Sequence, residues 1–229
     1  MKKKILIICS HPDDEILGCG GMIAKNIEIG NKVSVIFTHE GSSARHNNYK
    51  SFKAKKDIKN RIQMAKRASK YLNYNILNFH SNINLQNEKN FKLKLVKSII
   101  KDINKYKPDT IFTHHSDDLN SDHGFTFNAV INACRPSSNF LVKELILFEV
   151  ASSTDWSYLN QKVQFVPNLF IDIEKYFMKK IKALQFYNNE MRNFPNSRSY
   201  RGLEYLAKYR GGQVGIEMCE AFKIIRKIK

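Results

Sequence analysis

A doubly wound α/β domain, with a mostly parallel sheet and helices on both faces, is the fold class this sequence predicts. Three observations carry it. Short β-rich apolar runs alternate with stretches of helical periodicity through the first half, the pattern of βαβ units with right-handed crossovers. The first run, Ile5 to Cys9, is continuously apolar, as a buried strand of a parallel sheet is. The chain has 229 residues and no repeat or low-complexity linker, which suits one core, so residues 1–229 are read as a single domain.

The elements follow in order. Helical periodicity over 15–29 ends at Gly30-Asn31. A β-rich run at 33–38 leads into 40–51, which is rich in Ser, Arg, His and Asn, lacks periodicity and reads as a loop at a strand end. A Lys- and Ala-rich helix at 53–72, a strand at 76–79 and a helix at 91–106 come next. That helix sets Leu93, Val96, Ile99, Ile100 and Ile103 on one stripe and is stopped by Pro108. A strand at 110–114 precedes a helix that begins near His123 with Asp122 as its N-cap. Beyond it, 144–150 and 163–173 read as strands, and 175–189 and 199–210 as helices.

Composition narrows the class. A hydrophobic fraction of 42%, with 15 Phe and 10 Tyr, is enough apolar surface to offset the ordering entropy of the chain. No stretch approaches ~18 consecutive apolar residues, so no membrane span is expected. The run after the N-terminal lysines is too short for the core of a signal peptide. Cys9, Cys19, Cys134 and Cys219 are scattered without a C-x-x-C pair and read as reduced packing residues, which points to a cytoplasmic protein. The net charge of +17 leaves two readings open, a Lys-rich surface of no special purpose or attraction to an anionic substrate. A nucleic-acid partner is not expected, because no recognised binding motif accompanies the charge.

Two short segments carry chemistry. The first strand ends in His11-Pro12-Asp13-Asp14-Glu15, where acidic side chains suit the positive end of a helix and Pro suits its start. The acidic residues need no catalytic purpose there; the histidine is what local helix physics does not explain. The fourth strand is followed by His114-His115-Ser116-Asp117-Asp118-Leu119-Asn120-Ser121-Asp122-His123. In doubly wound sheets a crevice opens at the C-terminal edge, where neighbouring strands send their helices to opposite faces. If strands one and four are neighbours, His11, Asp14 and His123 meet there, and two imidazoles with a carboxylate suit a catalytic zinc or Fe(II). Gly18, Gly20 and Gly21 miss the G-x-G-x-x-G spacing of a dinucleotide site.

These residues resemble the PIG-L (LmbE-like) deacetylase family, whose hallmark is a strand ending in H-P-D-D-E with a later D-H at a helix start. The likeness runs almost end to end. It takes in 118–123, Phe148-Glu149-Val150, Ser152-Ser153-Thr154, Trp156, Arg198-Ser199 and Glu220-Ala221-Phe222. The resemblance implies a Rossmann-like fold and a zinc-dependent N-deacetylase, with Fe2+ the alternative metal. Its substrate would be a small amino-sugar derivative; a zinc amidohydrolase removing an acyl or formyl group from a non-sugar molecule is the alternative. It implies that His11, Asp14 and His123 hold the metal and that Asp13 is the general base, with Glu15 supporting the helix start.

One departure concerns the acid. Where a branch of the family has a histidine that protonates the leaving amine, this chain has Asn120. His115 is the candidate in its place, with Asp117 on the same loop. Arg61 matches a family arginine that contacts substrate, although an exposed helix charge is an equal reading. Arg45 and Asn120 complete the expected substrate side, and Arg45, Lys50, Lys53 and Arg61 are the charges that would attract an anionic carrier. Oligomeric state is left open, a homo-oligomer included.

Overall fold

The computed structural model describes residues 2–41, 51–80, 91–136, 140–160 and 164–229. Among these, the strands are β1 (Lys4–Cys9), β2 (Lys32–Phe37), β3 (Asn75–Phe79), β4 (Thr110–His114), β5 (Glu144–Phe148), β6 (Leu169–Asp172) and β7 (Cys219–Lys227). They form one sheet in the order β3-β2-β1-β4-β5-β7-β6. The first five strands pair in parallel, and β7 runs antiparallel to both β5 and β6.

The helices are α1 (Asp14–Glu28), α2 (Phe52–Leu72), α3 (Phe91–Tyr106), α4 (Ser121–Ala133), α5 (Phe177–Leu184) and α6 (Tyr200–Gly212). Strand β1 shows why its sequence is apolar throughout. Ile5, Ile7 and Cys9 enter a core built with α1, α2, α5 and α6, while Leu6 and Ile8 enter a second core built with α3 and α4. Helices therefore cover both faces of the sheet. From β1 the chain winds outward to β2 and β3, then returns across β1 to β4. The connections after β1 and β4 diverge to opposite faces and leave a crevice at their C-terminal ends.

Several expectations are corrected in detail. On α3 it is Leu95, Val96, Ile99 and Ile103 that are buried, while Leu93 is 53% exposed. The three residues 95, 99 and 103 keep the four-residue spacing of one helix face. Of the strand expected over 163–173, whose first residue lies outside the described ones, the described part is strand at Leu169–Asp172, since Pro167 has no N–H to give a ladder. The helix expected over 175–189 is α5 followed by a 3-10 run, Gln185–Glu190, with Tyr187 off helical geometry and fully buried. Strand β7 went unrecognised, since Lys223, Arg226 and Lys227 interrupt its apolar pattern.

Helix α1 lies close against its neighbours. A Cβ at Gly21 would sit 2.6 Å from Ile173 Cγ2, so α1 tolerates nothing larger there. Into its middle is set a buried ion pair: Lys180 Nζ donates to Glu220 Oε1 and to the Leu17 carbonyl, both at 2.7 Å. The Glu220 carboxylate also accepts from the Gly21 and Met22 amides at 2.9 and 2.7 Å. Removing one partner strands a charge in the core. Lys180→Met is expected to lower the unfolding free energy by roughly 3–5 kcal/mol, read from urea unfolding; a change below ~1 kcal/mol would show that Glu220 finds other compensation.

Candidate metal and catalytic site

Strand β1 leads into α1 through Ser10, His11, Pro12 and Asp13. Asp13 sits at φ 126° and ψ −31°, a conformation costing a residue with a Cβ about 1–3 kcal/mol. Its surroundings hold it there. The Asp13 N–H donates to Glu15 Oε2 at 2.9 Å, and its carbonyl accepts from Ile16 and Leu17 at 3.0 and 2.9 Å. Glu15 is fixed in turn by the hydroxyls of Tyr74 and Tyr187, which donate to Oε1 at 2.8 and 2.7 Å. Burial raises the Glu15 carboxyl to about 7, against the pull of those donors. Glu15 is thus a buried strut behind Asp13.

Across the crevice, Asn120 caps α4: its side-chain oxygen accepts from the Asp122 amide at 3.0 Å. The N-cap is therefore Asn120, not Asp122, because the helix starts at Ser121. Asn120, expected on the substrate side, has this architectural task. Its cap delivers His123 to the first turn of α4, fully buried.

Three imidazoles surround one carboxylate oxygen. Asp14 Oδ2 lies 3.4 Å from His11 Nδ1, 3.3 Å from His123 Nε2 and 3.5 Å from His114 Nε2. His11, Asp14 and His123 offer donor atoms all within 4.8 Å of one another. His123 Nε2 is buried with no hydrogen-bond partner. Ligands stand around a cation in this way, close together and aimed inward, and here Asp14 Oδ2 is also steadied by the His11 amide, which donates to it at 2.8 Å. His114 Nε2 already accepts the Ser10 N–H at 2.8 Å, so its ring, stacked on His123 at 3.9 Å, serves as a wall.

Each of the two candidate imidazole ligands is backed by a carboxylate at its other nitrogen. Asp122 Oδ2 is 2.9 Å from His11 Nε2, and Asp118 Oδ2 is 3.1 Å from His123 Nδ1. Such partners fix tautomer and ring orientation. Asp118 is itself held by the hydroxyls of Ser153 and Thr154 and by the Asn120 amide. Burial opposes charge on both members of the Asp118–His123 pair, yet their attraction holds Asp118 down to about 2 and, with Asp14, lifts His123 to about 10. The pocket's carboxylate field is one that a bound cation relieves. Asp118→Ala is expected to weaken divalent-metal affinity by about 10- to 100-fold, measured by titration against a competing chelator. An unchanged affinity would make Asp118 a mere filler.

Asp13 stands beside this centre. Its Oδ2 is 3.2 Å from both Arg61 Nη2 and Arg198 Nη1, while its Oδ1 is buried with no hydrogen-bond partner. Burial raises the Asp13 carboxyl, and the two arginines pull it back. Arg61 is not an exposed helix charge. It is 5% exposed, with Nε donating to the Pro12 carbonyl at 3.0 Å, Nη1 to the Gly41 carbonyl at 3.1 Å, and Glu190 Oε2 at 3.4 Å. Gly41, at φ +72°, closes over His11 so tightly that a Cβ would sit 2.8 Å from His11 Cδ2.

Of the other expected residues, His115 is fully buried with its ring edge-on to Phe165 at 5.4 Å. Lys53 is exposed on α2, and Arg45, Lys50 and most of the 40–51 loop lie outside the described residues. Sequence reasoning left Asp118, Asp122, Glu190 and Arg198 without a site role. It passed over His39 altogether, whose ring lies 6.0 Å from that of His11 and whose burial lowers it to about 4. The spacing D-x-x-x-D-H held a signal for the first two, and Arg198 stands in the Arg198-Ser199 pair of the resemblance without a role attached to it, whereas Glu190 comes from a remote segment and had none.

A family model described as PIG-L, GlcNAc-PI de-N-acetylase, matches residues 6–134, from β1 through the end of α4. The chain belongs to the PIG-L family. The matched stretch holds every candidate metal ligand, and Arg198 and Glu190 lie beyond it. A curated relative, the uncharacterised deacetylase YaiS of Escherichia coli (strain K12), is 27% identical over 194 residues, covering 80% of this chain and 90% of its own. Among solved structures, the N,N'-diacetylchitobiose deacetylase of Pyrococcus horikoshii matches with a TM-score of 0.75 at 19% identity, over 98% of this chain and 84% of that one. GalB, the 4-carboxy-2-hydroxymuconate hydratase of Pseudomonas putida KT2440, matches at 0.78 and 18% identity, over 100% and 98%. At such identities the structures share the PIG-L fold, and the fold by itself does not select a reaction.

Proposed function

We propose that this chain is a metal-dependent N-deacetylase that hydrolyses the acetamide of an amino-sugar derivative to the free amine and acetate. The observation that carries the reading is the pairing of a three-ligand cluster, His11, Asp14 and His123, with a neighbouring carboxylate that keeps one oxygen unbonded. Two imidazoles and one carboxylate suit zinc, with Fe2+ the alternative. Held by these three residues, a divalent ion would supply an acidified water and a polarised acyl carbonyl.

The residues do the rest. Asp13 Oδ1 takes the proton of the attacking water, while Arg61 and Arg198 hold Oδ2 and so fix the direction of the lone pair. The strained turn at Asp13 and the Glu15 strut keep that carboxylate in place beside Asp14 without rearrangement. Asp122 and Asp118 keep the ligating nitrogens of His11 and His123 turned inward. His115 remains the proposed source of the proton for the departing amine, with Arg45 and Asn120 on the substrate side. Among the described residues no helix is long and apolar enough to cross a membrane.

The test is acetate release from a panel of N-acetylated amino sugars, free and carrier-linked, with N-formyl and non-sugar acetamides beside them. Each is run before and after metal removal and again after zinc or Fe2+ is restored. Metal-dependent release from at least one N-acetyl sugar is expected. Turnover confined to the non-sugar amides would replace the sugar reading with a general amidohydrolase, and no release from any amide would end both.

A further inference from the structure

Arg61 and Arg198 approach the same Asp13 oxygen at the same 3.2 Å but differ in what each has left to give. Arg61 spends all three nitrogens on the protein: Nε on Pro12, Nη1 on Gly41 and Glu190, Nη2 on Asp13. It is walled in. Arg198 donates from Nε to Ser152 Oγ at 2.8 Å and from Nη1 to Asp13 Oδ2, and its side chain is 17% exposed. Its Nη2 meets no partner among the described residues. Two N–H donors are thus held next to the general base and face outward.

The surroundings show that this placement is built. Ser152, which anchors Nε, is itself in the left-handed region at φ +63°, a conformation that a residue with a Cβ adopts only when its neighbours enforce it. The same turn supplies Ser153 and Thr154 to Asp118. On the other side, the Arg198 amide donates to Asn196 Oδ1 at 2.9 Å, and the next residue, Ser199, caps α6. The guanidinium is therefore gripped at its Nε, at one N–H of its Nη1 and through its own backbone, and Nη2 is the nitrogen that no described residue engages. Among the described groups, the two arginines face the carboxylates of Asp13, Glu190 and Asp14, which would repel a further anion. A neutral oxygen therefore suits Nη2 better than a phosphate or carboxylate.

We propose that Arg198, not Arg61, is the arginine that touches substrate, donating from Nη2 to a neutral hydroxyl on a carbon next to the one bearing the acetamide. This rests on the deacetylase reading above, since that reading puts the acetamide beside Asp13. The vicinal hydroxyls are then the sugar oxygens nearest to Arg198.

The experiment pairs two enzymes with matched substrates. Wild type and Arg198→Ala, each metal-loaded, are given an N-acetylglucosamine derivative that wild type hydrolyses and its 1-deoxy and 3-deoxy analogues. A lost hydrogen bond to a charged donor is expected to cut wild-type kcat/KM for one analogue by about tenfold or more. The Arg198→Ala enzyme, although slower overall because Asp13 has lost an anchor, should lose less than about threefold for that analogue, the non-additivity that marks a direct contact. Arg198→Lys, which keeps a cation near Asp13 but not the fork, should recover part of kcat while staying indifferent to the hydroxyl. Equal losses in wild type and variants would overturn the contact and leave Arg198 as a positioning residue for Asp13 alone. A wild type that hydrolyses no N-acetyl sugar would instead bring down the deacetylase reading, and this assignment with it.

Discussion

Asp13→Asn is expected to keep the fold and the metal and to lose about 10²-fold or more in kcat. The amide preserves the shape of the carboxylate and can still face Arg61 and Arg198, so the strained turn and the Glu15 hydrogen bond survive. What disappears is the basic oxygen. Oδ1 is buried with no partner, and its replacement cannot accept a proton at neutral pH. The pH profile adds a second check. Burial raises the Asp13 carboxyl above the usual range despite the two arginines. A base works only when ionised, so wild-type kcat/KM should fall as pH drops through the Asp13 pKa, which a bound cation beside it would draw down from that raised position. The limb should vanish in Asp13→Asn. Metal-replete Asp13→Asn with wild-type turnover would remove the residue from the mechanism.

Larger still is the effect expected at the metal centre. Alanine at His11, Asp14 or His123 should reduce bound divalent metal from about one per chain to a small fraction, with activity following it down, because three protein ligands leave no reserve when one is removed. Elemental analysis of the purified variants reads occupancy directly, without an activity assay. His114→Ala is the informative control. Its Nε2 is only 3.5 Å from Asp14 but is engaged by the Ser10 amide, so the variant should keep most of the metal. Full occupancy in all three ligand variants would sink the cluster, and loss in His114→Ala and His123→Ala but not in the His11 and Asp14 variants would move the site to the grouping of His114 with Asp118 and His123.

Much of the fold was legible because it is written locally. Continuous apolar strands, helices ended by Gly30 or Pro108, and two motifs at strand ends are statements about neighbours in sequence, and β1 to β5 and α1 to α4 follow them closely. The places that misled are those where distant contacts outweigh local pattern. Leu93 fits the amphipathic stripe of α3, yet Leu95 took the core. Strand β7 carries three cations and is strand only because β5 and β6 flank it. Asp122 has the composition of an N-cap, but Asn120 reached the amide first.

The candidate ligands were legible in the sequence, since His11 and Asp14 share one tight turn and His123 opens a helix, with the long-range condition that β1 lie beside β4, and the proposed base, Asp13, came with the family motif. Tertiary structure decided everything that depends on which side chain faces which: that His114 rather than His115 stands at the ligands, that Arg61 is sealed while Arg198 faces outward, and that Asp118 and Asp122 back the histidines. The physical reason is range. A turn or a cap is settled within a few residues, whereas the 185 positions between Asp13 and Arg198 are closed only by packing α1 and α5 and the 191–199 segment around one core.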